Sequence, residues 1–536
     1  MTTSQTTVDA VPAGEGGPSA MTSATSAKTW LAVIGATLGA FMAVLNIQIV
    51  NASLADIQGG IGAGIDDGGW ISTSYLIAEI VVIPLSGWLA QIFSIRIYLL
   101  TNAFLFLVFS AACALAQDLP QMIVLRAVQG FTGGVLIPLA FTLIITLLPK
   151  PKQPIGLALF AISATFAPAI GPTIGGYLTE NFGWEYIFYV NVVPGAVMIG
   201  MLYVSLEAAP MNLSLLRQGD WAGIVTMAIG LAALQTVLEE GNKDDWFGSP
   251  FILRLAVIAA VALTLFIVIE LTAKQPLLNL RILFRRNFGF GVLANFLLGV
   301  ALYGSVYILP VYLSRIQGYN SEQIGMVLAW TGLPQLMLIP LVPQLMKRVD
   351  PRIVIGSGFA LFAASNFMNI YMTNDYAADQ LFWPNVIRAF GQALVFAPLS
   401  AIATSGIEAE NAGSASALFN MMRNLGGAIG IAALQTLLTK REQYHSNVLM
   451  QSVSMFEQAT RTRLEQLTQY FINHGVIDRA DALHRAYVAL GKTVQKQAYI
   501  LAFSDTFYIL GAALVVALLA GLLLKRPERL ESGGAH

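Results

Sequence analysis

The sequence has almost no cysteine, little histidine and little charge, and each shortage excludes a class of function. Its 536 residues include a single cysteine, Cys113, so no internal disulfide can form. The four histidines, His445, His474, His484 and the final His536, do not have the spacing of a metal site, and no P-loop is present. A formal net charge of -1 provides no basic field for nucleic acid. We therefore expect a protein that is neither an enzyme nor a nucleic-acid binder and that needs no cofactor or metal.

Apolar residues, in contrast, are abundant. Hydrophobic residues make up 56% of the chain and charged residues 11%, and the mean hydropathy is +0.68. These values are typical of a membrane protein surrounded by lipid rather than of a soluble domain. Residues 1–28 are rich in Thr, Ser, Ala and Gly, and are expected to form a disordered cytoplasmic tail rather than a cleaved signal.

The apolar residues fall into runs long enough to cross a bilayer, which requires about 20 residues per helix. Fourteen runs are predicted to span, near 30–50, 70–92, 98–117, 121–147, 155–177, 186–206, 220–238, 250–273, 288–313, 322–345, 353–372, 381–405, 412–438 and 498–524. The sequence therefore predicts an all-α integral membrane protein with fourteen transmembrane helices.

The basic residues between the runs are concentrated on one side, apart from about eight in the long segment 439–497, and long loops translocate with little regard to their charge. An even number of spans places both termini on that side, which carries Arg96, Lys150, Lys152, Arg217, Lys274, Arg281, Arg285, Arg286, Lys347, Arg348, Arg352, Lys525, Arg526 and Arg529. By the positive-inside rule both termini are expected to be cytoplasmic. The opposite side carries a long segment, 439–497, with the helix-like stretches RLEQLTQYF and RADALHRAYVAL. This segment is either a partner-binding appendage or a capping hairpin.

The chain also repeats part of its own pattern. The fourth run reads VLRAVQGFTGGVLIPLAF and the twelfth reads VIRAFGQALVFAPLSAI, while GPTIGG in the fifth run and NLGGAIG in the thirteenth keep the same order. Parallel repeats are typical of secondary transporters, with the substrate near the bilayer midplane. We expect six-helix halves at 29–206 and 288–536, the second including the loop 439–497, and two inserted helices with their linkers at 207–287.

Several stretches resemble the motifs of a known family. LRAVQG and APAIGPTIGG are similar to the fourth-helix and antiporter motifs of fourteen-span drug/proton antiporters of the major facilitator superfamily, EmrB type. WEYIFYVNVVPG resembles the entry to helix six, and DWAG and LLNLRILFRRNF resemble the markers around the two inserted helices. The resemblance covers nearly the whole chain after residue 28. It implies a major facilitator fold, proton-coupled export of small hydrophobic or amphipathic compounds, and the cell inner membrane. It also implies an EmrA-type periplasmic adaptor and an outer-membrane channel in a host with two membranes.

Two regions depart from that family pattern. The loop motif after helix two usually reads Gly-x-Leu-Ala-Asp-Arg-x-Gly-Arg, but this chain reads GWLAQIFSIR, with Gln91 and Ser94 in place of Asp and Gly. The charge relay implied for that motif is therefore expected to be weakened. In helix one, Asn46 stands where the family often has an aspartate, so the acid given a coupling role there is absent.

Glu79 is the candidate for the proton carrier that helix one lacks. It is the one carboxylate far from any predicted end of a span, and nine residues of helix place it roughly 13 Å deep. An acid at this depth is a functional candidate because its insertion costs free energy unless it is neutralised or paired. The alternative is a protonated Glu79 that only hydrogen-bonds to a neighbouring helix. Asp505, a turn or two inside the outer end of the last span, is the second candidate.

Arg126 and Asn46 are expected to assist Glu79. Arg126 lies roughly 8 Å below the outer surface, and its permanent charge requires an acceptor. We hypothesise that it contacts the polar cluster of helix one and shifts the protonation of Glu79, and a fixed bond to backbone carbonyls is the alternative. Asn46 and Gln48 either maintain a hydrogen-bonding network or only hold helices together. For Arg388 and Arg423 a structural role is favoured.

Two further groups of candidates follow from the layout of the family. A drug pocket needs apolar and aromatic walls with few polar groups, and the candidates for it are Gln48, Asn295, Tyr303, Tyr307, Gln335, Gln392, Phe396 and Asn420. The residues Gly171, Pro172, Gly175 and Gly176 form a small-residue face that permits close packing and a bend. In antiporters such a bend is thought to help seal the cytoplasmic side of the cavity. Ordinary helix packing is the alternative for every residue of both groups.

The sequence therefore favours a proton-coupled antiporter that exports toxic compounds by alternating access and confers antibiotic resistance. Two alternatives remain open at this point. One is a dedicated exporter of a single endogenous metabolite or fatty acid. The other is a non-transporting receptor or adaptor on the same scaffold, which the altered loop motif and the missing acid in helix one would suit.

Overall fold

A computed structural model of the chain describes residues 26–64, 67–273 and 276–525. All regular secondary structure in these ranges is helical, and thirteen of the described helices are long and apolar enough to cross a bilayer. The all-α prediction is therefore confirmed. Most of the predicted tail 1–28 lies outside the described residues, as do Lys274, Arg526 and Arg529.

The long helices follow the predicted order. They are α1 (Ala27–Ala52), α2 (Trp70–Phe93), α3 (Ile95–Cys113), α4 (Leu119–Leu147), α5 (Lys150–Phe182), α6 (Tyr186–Ser205), α7 (Trp221–Glu240), α8 (Pro250–Thr272), α9 (Arg286–Gln317), α10 (Ser321–Arg348), α11 (Pro351–Tyr371), α12 (Ala378–Ala403), α13 (Ala412–Gln451), α14 (Gln458–Asn473) and α15 (Arg479–Leu522). The predicted span 412–438 lies inside α13, which is more polar than the other spans, and α14 is a short polar helix outside the spans.

Polar capping residues set where several of these helices begin. The Asp118 side chain accepts a hydrogen bond of 2.8 Å from the backbone N–H of Gln121 at the start of α4. Asn320 and Gln323 form a reciprocal capping box at the start of α10. Asp220 caps α7 in the same manner as Asp118 caps α4. These side chains satisfy amide groups that a helix start leaves without intrahelical partners, so the short loops can end sharply between apolar runs.

The helices pack as a first group that contains α1 to α6 and a second group that contains α9 to α15, with the inserted pair α7 and α8 beside them. α1 packs against α4, α5 and α6, and α9 packs against α12, α13 and α15. The two groups meet where α5 contacts α10 and α12, and where α13 contacts α2 and α4. The inserted helices α7 and α8 pack on each other, and α7 also contacts α2 and α13. The insertion therefore reaches the junction between the two groups.

Small residues make the same kind of contact in each group. Gly171 of α5 packs against the side chain of Gln48 on α1, and Gly426 of α13 packs against the Phe296 carbonyl on α9. Both glycines belong to the repeated stretches GPTIGG and NLGGAIG. A side chain at either glycine would force the helices apart, so the sequence repeat corresponds to a repeated close approach of fifth-place and first-place helices.

The segment 439–497 is mostly continuous helix rather than a loop. α13 runs on to Gln451 and α15 begins at Arg479, while α14 packs against α15. A turn with Gly475 at φ +96° separates α14 from α15. We call this projection the outer hairpin (residues 439–497). The face of the molecule from which it projects is called the loop face. The opposite face, where α1 begins and α15 ends, is called the terminus face.

Helix α5 is irregular before Pro172 rather than at it. Residues Ile162–Phe166 form a π-helical turn immediately before the segment that holds Pro168 and Pro172. Proline lacks the amide hydrogen that an α-helix requires, and a π turn is one way for the preceding backbone to adjust. The Ser163 hydroxyl in this turn donates a 3.0 Å hydrogen bond to the Thr37 carbonyl of α1.

The altered loop motif lies between α2 and α3. Ser94 has φ +69° and ψ 137°, in the left-handed half of backbone space that favours glycine, and its family counterpart is glycine. The Arg96 guanidinium donates to the Tyr203 carbonyl of α6 at 3.0 Å and lies over the Tyr203 ring. Arg96 has no carboxylate partner within the described residues.

Candidate functional site

A cavity of about 370 Å³ lies between the two helix groups and opens on the loop face. Its walls come from α1, α2, α5, α7, α9, α10 and α13. Asn51 at the end of α1, Ser72 at the start of α2 and Ser321 at the start of α10 line its rim, and all three lie at loop-face ends of helices. The volume falls within the range of pockets for small organic ligands.

A smaller chamber of about 60 Å³ continues the cavity inward, and Glu79 lies in its wall. Glu79 is 2% exposed, and the Asn424 side-chain amide of α13 donates to its Oε1 at 3.4 Å. This long hydrogen bond joins α2 of the first group to α13 of the second. Glu79 therefore borders the inner chamber, at the junction whose geometry must change if the two groups move.

Four phenylalanine rings close the space on the terminus side of this chamber. Phe141 of α4 and Phe160 of α5 have ring centroids 5.4 Å apart, and Phe160 and Phe396 of α12 are 5.8 Å apart. Phe419 of α13 completes the circuit, 6.1 Å from Phe396 and 5.6 Å from Phe141. All four rings are fully buried. We call these four residues the phenylalanine ring; it joins both helix groups beneath the cavity.

Other contacts on the terminus side reinforce this closure. The Ser416 hydroxyl of α13 donates to the Pro138 carbonyl of α4 at 2.6 Å. A Cβ at Gly87 of α2 would lie 3.4 Å from the Cα of Gly413 on α13, so the two backbones pass closely there. The molecule is therefore open on the loop face and closed on the terminus face.

Arg126 is fully buried and bonded to neutral acceptors. Its NH1 donates to Asn46 Oδ1 at 2.7 Å and to Gln129 Oε1 at 2.6 Å, and its Nε donates to the Ile71 carbonyl at 3.3 Å. Its guanidinium also lies 4.2 Å from the centroid of the Tyr75 ring. The structure thus brings Arg126 and Asn46 together, and it includes a backbone carbonyl among the acceptors, so both sequence interpretations of Arg126 are represented in its contacts.

Arg423 is a second buried cation at the same junction. It is 0% exposed and lies 5.3 Å from the centroid of the Phe396 ring. Its charge reaches Glu79, as does that of Arg126. It has no ion-pair partner among the described residues. Glu79 in the wall of the deep chamber is therefore within electrostatic reach of two buried guanidinium groups, which the sequence interpretation of Arg423 as structural did not anticipate.

The predicted substrate-binding residues divide into two sets. Gln48, Tyr303 and Tyr307 line the cavity. The others do not line it: Phe396 is in the phenylalanine ring, and Asn295, Gln335, Gln392 and Asn420 are buried, with bonds such as the 2.8 Å hydrogen bond from Gln335 Nε2 to Gln392 Oε1. In this state Asn295, Gln335 and Gln392 connect helices within the second group, whereas Asn420 donates to the Ser416 carbonyl of its own helix.

Asp505 lies away from the cavity. Its Oδ2 accepts from Arg441 Nε at 2.6 Å and lies 2.7 Å from His445 Nε2. Both partners are on the continuation of α13 beyond its predicted span. The pairing ties α15 to α13 at the base of the outer hairpin, and it could not be inferred while 439–497 was treated as a loop.

The antiporter motif lies in the loop-face half of α5. Pro172 lines the cavity. A Cβ at Gly175 would lie 2.9 Å from the Ile49 carbonyl of α1, and one at Gly176 would lie 2.5 Å from the Ser321 carbonyl of α10. The motif therefore packs α5 against α1 and α10 beside the open cavity, whereas the terminus-side closure uses other residues.

Two carboxylates that sequence reasoning missed also line the cavity. Glu239 and Glu240 end α7, and both border the cavity together with Lys243. Their position at the end of an apolar run resembles an ordinary helix end in water, and the sequence predicts α7 only as one of two inserted helices. The only available signal was two adjacent acids immediately after the predicted span 220–238.

Comparison with known proteins identifies relatives along most of the chain. The family described as Major Facilitator Superfamily matches residues 36–431. The colistin resistance protein EmrB of Acinetobacter baumannii is 33% identical over 94% of this chain and 98% of that protein. The multidrug export protein EmrB of Escherichia coli K12 is 33% identical over 81% of this chain and 85% of that protein. The fatty acid resistance protein FarB of Neisseria gonorrhoeae is 30% identical over 93% of this chain and 96% of that protein.

A solved structure has the same overall fold. The human organic anion transporter MFSD10 (TETRAN) aligns with a TM-score of 0.55, covering 91% of this chain and 99% of that one, at 13% sequence identity. At that identity the similarity concerns the arrangement of the helices alone.

Proposed function

The chain belongs to the Major Facilitator Superfamily and is a multi-pass membrane protein, and from this premise we propose that it exports hydrophobic or amphipathic drugs in exchange for protons. Similarity to drug-exporting relatives over most of the chain supports the export of drugs. The observation that carries the coupling is the position of Glu79, a carboxylate between the two helix groups at the inner end of an open cavity.

The proposed cycle uses Glu79 as the proton carrier. With the cavity open to the loop face, Glu79 takes a proton from outside. The helix groups then rock so that the cavity opens on the terminus face, where Glu79 releases the proton and a drug enters. Return to the state described here carries the drug outward. Since the bond from Asn424 to Glu79 crosses the junction, this movement changes the surroundings of the carboxylate.

Arg126 and Arg423 are proposed to act on Glu79 through charge. Both remain charged throughout the cycle, and both reach the carboxylate electrostatically. In place of an acid in α1, Asn46 gives Arg126 a neutral acceptor. Arg126 therefore remains an uncompensated cation toward Glu79. Asp505, with partners of its own, is proposed to hold the outer hairpin rather than to carry the proton.

The location and partners are proposed on the same basis. The concentration of Lys and Arg on the terminus face supports cytoplasmic termini in a cell inner membrane. The outer hairpin then projects outward, where an EmrA-type adaptor and an outer-membrane channel could continue the export route.

Transport by purified protein in proteoliposomes tests the coupling. With a pH gradient imposed, the wild-type protein is expected to move drug against proton flow, and Glu79→Gln is expected to bind drug but to abolish exchange. Glu457→Gln makes the same chemical change at an exposed site on the outer hairpin and should exchange normally. Normal exchange by Glu79→Gln would refute the assignment of the proton carrier.

A dedicated fatty-acid exporter is the second candidate, favoured by the similarity to FarB. The same proteoliposomes distinguish the two functions when loaded in turn with fatty acids and with unrelated drugs. Movement of fatty acids alone would support this second function and exclude the multidrug assignment.

A further inference from the structure

The inserted helix α7 forms part of the cavity wall rather than only an outer support. It contacts α2 and α13, which are the two helices that meet at Glu79. Its last turn places Glu239 at the wall of both the outer cavity and the deep chamber. The insertion therefore brings a carboxylate to the substrate route that neither six-helix half provides.

The two acids at the end of α7 have different surroundings. Glu240 Oε1 accepts from the Thr73 hydroxyl at 2.9 Å, and its Oε2 forms a 3.3 Å ion pair with Lys243. Glu239 Oε1 accepts only from the neutral Gln235 side chain, at 2.9 Å. No cation forms an ion pair with Glu239 in the described part of the chain. The Glu239 carboxyl group therefore lies at the cavity without a paired cation in the described part of the chain.

The opposite wall supplies groups that suit a positively charged organic compound. Tyr303 and Tyr307 of α9 line the cavity, and Tyr307 is within electrostatic reach of Glu239. The remaining wall includes apolar side chains such as Leu76 and Ile431. Tyrosine faces attract organic cations, and apolar walls favour the body of an amphipathic compound.

Gln48 provides an independent indication that this space can bind a polar group of a ligand. Its side chain is only 7% exposed and lines both the cavity and the deep chamber. It forms no hydrogen bond with any described residue. An amide that faces the cavity without a protein partner is available to donate to, or accept from, a bound compound.

The deep chamber does not offer the same environment to a cation. There Arg126 and Arg423 direct positive charge at Glu79. Because both cations act on Glu79, whereas Glu239 is bonded only to a neutral amide, a compound with a fixed positive charge is placed more favourably with its charged group at Glu239.

We propose that Glu239 forms a cation-binding subsite on the inserted helix, which selects lipophilic compounds with a permanent positive charge and holds them between α7 and the tyrosines of α9. This subsite deepens the proposed export function, because it names a substrate class and a recognition residue distinct from the proton carrier Glu79.

Binding of a charged and a neutral arylphosphorus probe tests the subsite. Tetraphenylphosphonium has a fixed charge and four phenyl groups, whereas triphenylphosphine oxide is neutral and has three. Equilibrium binding of each to purified protein is measured without a pH gradient. We expect Glu239→Gln to weaken binding of the cation about tenfold and that of the neutral probe less than about threefold, since the substitution keeps size but removes charge. Glu239→Asp, which keeps the charge, should restore much of the affinity, and Glu457→Gln should bind both probes normally.

Several outcomes would overturn the subsite. These are failure of the wild-type protein to bind the cation, unchanged cation binding by Glu239→Gln, and an equal loss for both probes, which would indicate damage to cavity shape. The binding measurement does not depend on antiport. If cation binding depends on Glu239 but the protein exchanges no protons, the proposed coupling alone is refuted. If the protein exchanges protons normally but cation binding does not depend on Glu239, the subsite alone is refuted.

Discussion

Replacing Phe419, one of the four residues of the phenylalanine ring, with alanine should favour the conformation that is open on the terminus face. Phe419 contacts two other rings, at 5.6 Å and 6.1 Å, and both partners lie on other helices. Each aromatic pair contributes about 0.5–1.5 kcal/mol beyond burial. If these contacts exist only while the terminus face is closed, Phe419→Ala removes about 1–3 kcal/mol from that state alone. The ratio of open to closed molecules should then rise by roughly 5- to 160-fold.

Cysteine labelling can measure this shift. Cys113 is 0% exposed, so background labelling should be low. Ser416→Cys places a thiol at the buried contact between α13 and α4, where a water-soluble thiol reagent can reach it only after the terminus face opens. In that background, Phe419→Ala should raise the labelling rate by the same factor as the open population, provided that opening is fast compared with labelling.

A second buried phenylalanine serves as the control. Phe359 is 0% exposed and packs within the second helix group, where α11 meets α15. Phe359→Ala should cost stability, as large-to-small substitutions in cores do, yet leave the labelling rate of Ser416→Cys unchanged. Equal labelling in the Phe419→Ala and parent backgrounds would refute the assignment of the ring as a closure.

Two further predictions concern backbone geometry. Ser94→Gly should relieve a left-handed backbone conformation that costs serine about 1–3 kcal/mol. The greater freedom of glycine in the unfolded chain offsets about 0.5–1 kcal/mol of this gain, so the melting temperature in detergent should rise by a few degrees. A lower melting temperature would contradict this reasoning. Gly176→Ala should slow transport strongly, because its Cβ would lie 2.5 Å from a carbonyl oxygen of α10, whereas Gly200→Ala, with no atom within 4 Å of its Cβ, should transport normally. Equal transport by the two variants would show that α5 and α10 need no close contact.

The sequence was most informative where a polar residue interrupts a long apolar run. Glu79 and Arg126 could be identified as candidates because each is isolated within hydrocarbon-like surroundings, where any charge requires an explanation. The contact between Arg126 and Asn46 was also accessible, since helical rise places the two at similar depths. These inferences depend only on position along one helix.

The sequence was least informative where a site depends on which helices become neighbours. Glu239 is unremarkable at the end of its own helix, and its importance depends on the contacts of α7 with α2 and α13. Asp505 pairs with Arg441, 64 residues earlier, through a continuation of α13 that hydropathy cannot reveal. Asn295, Gln335, Gln392 and Asn420 are predicted to line the pocket because they lie on helices that form it in the family. Whether a residue faces the cavity or a neighbouring helix depends on packing, which the sequence does not show.

The lengths of α13 and α15 couple the interior of the membrane to the space outside it. Helices of 40 and 44 residues extend about 60 and 66 Å, roughly twice the thickness of the hydrocarbon core. Each continues unbroken from the bundle into the outer hairpin, so the hairpin acts as a lever fixed to the second group. A tilt of about 10° in that group would sweep the tip through about 5 Å over an arm of roughly 30 Å. A protein bound to the tip would therefore be displaced by about 5 Å each time the second group tilts by that angle.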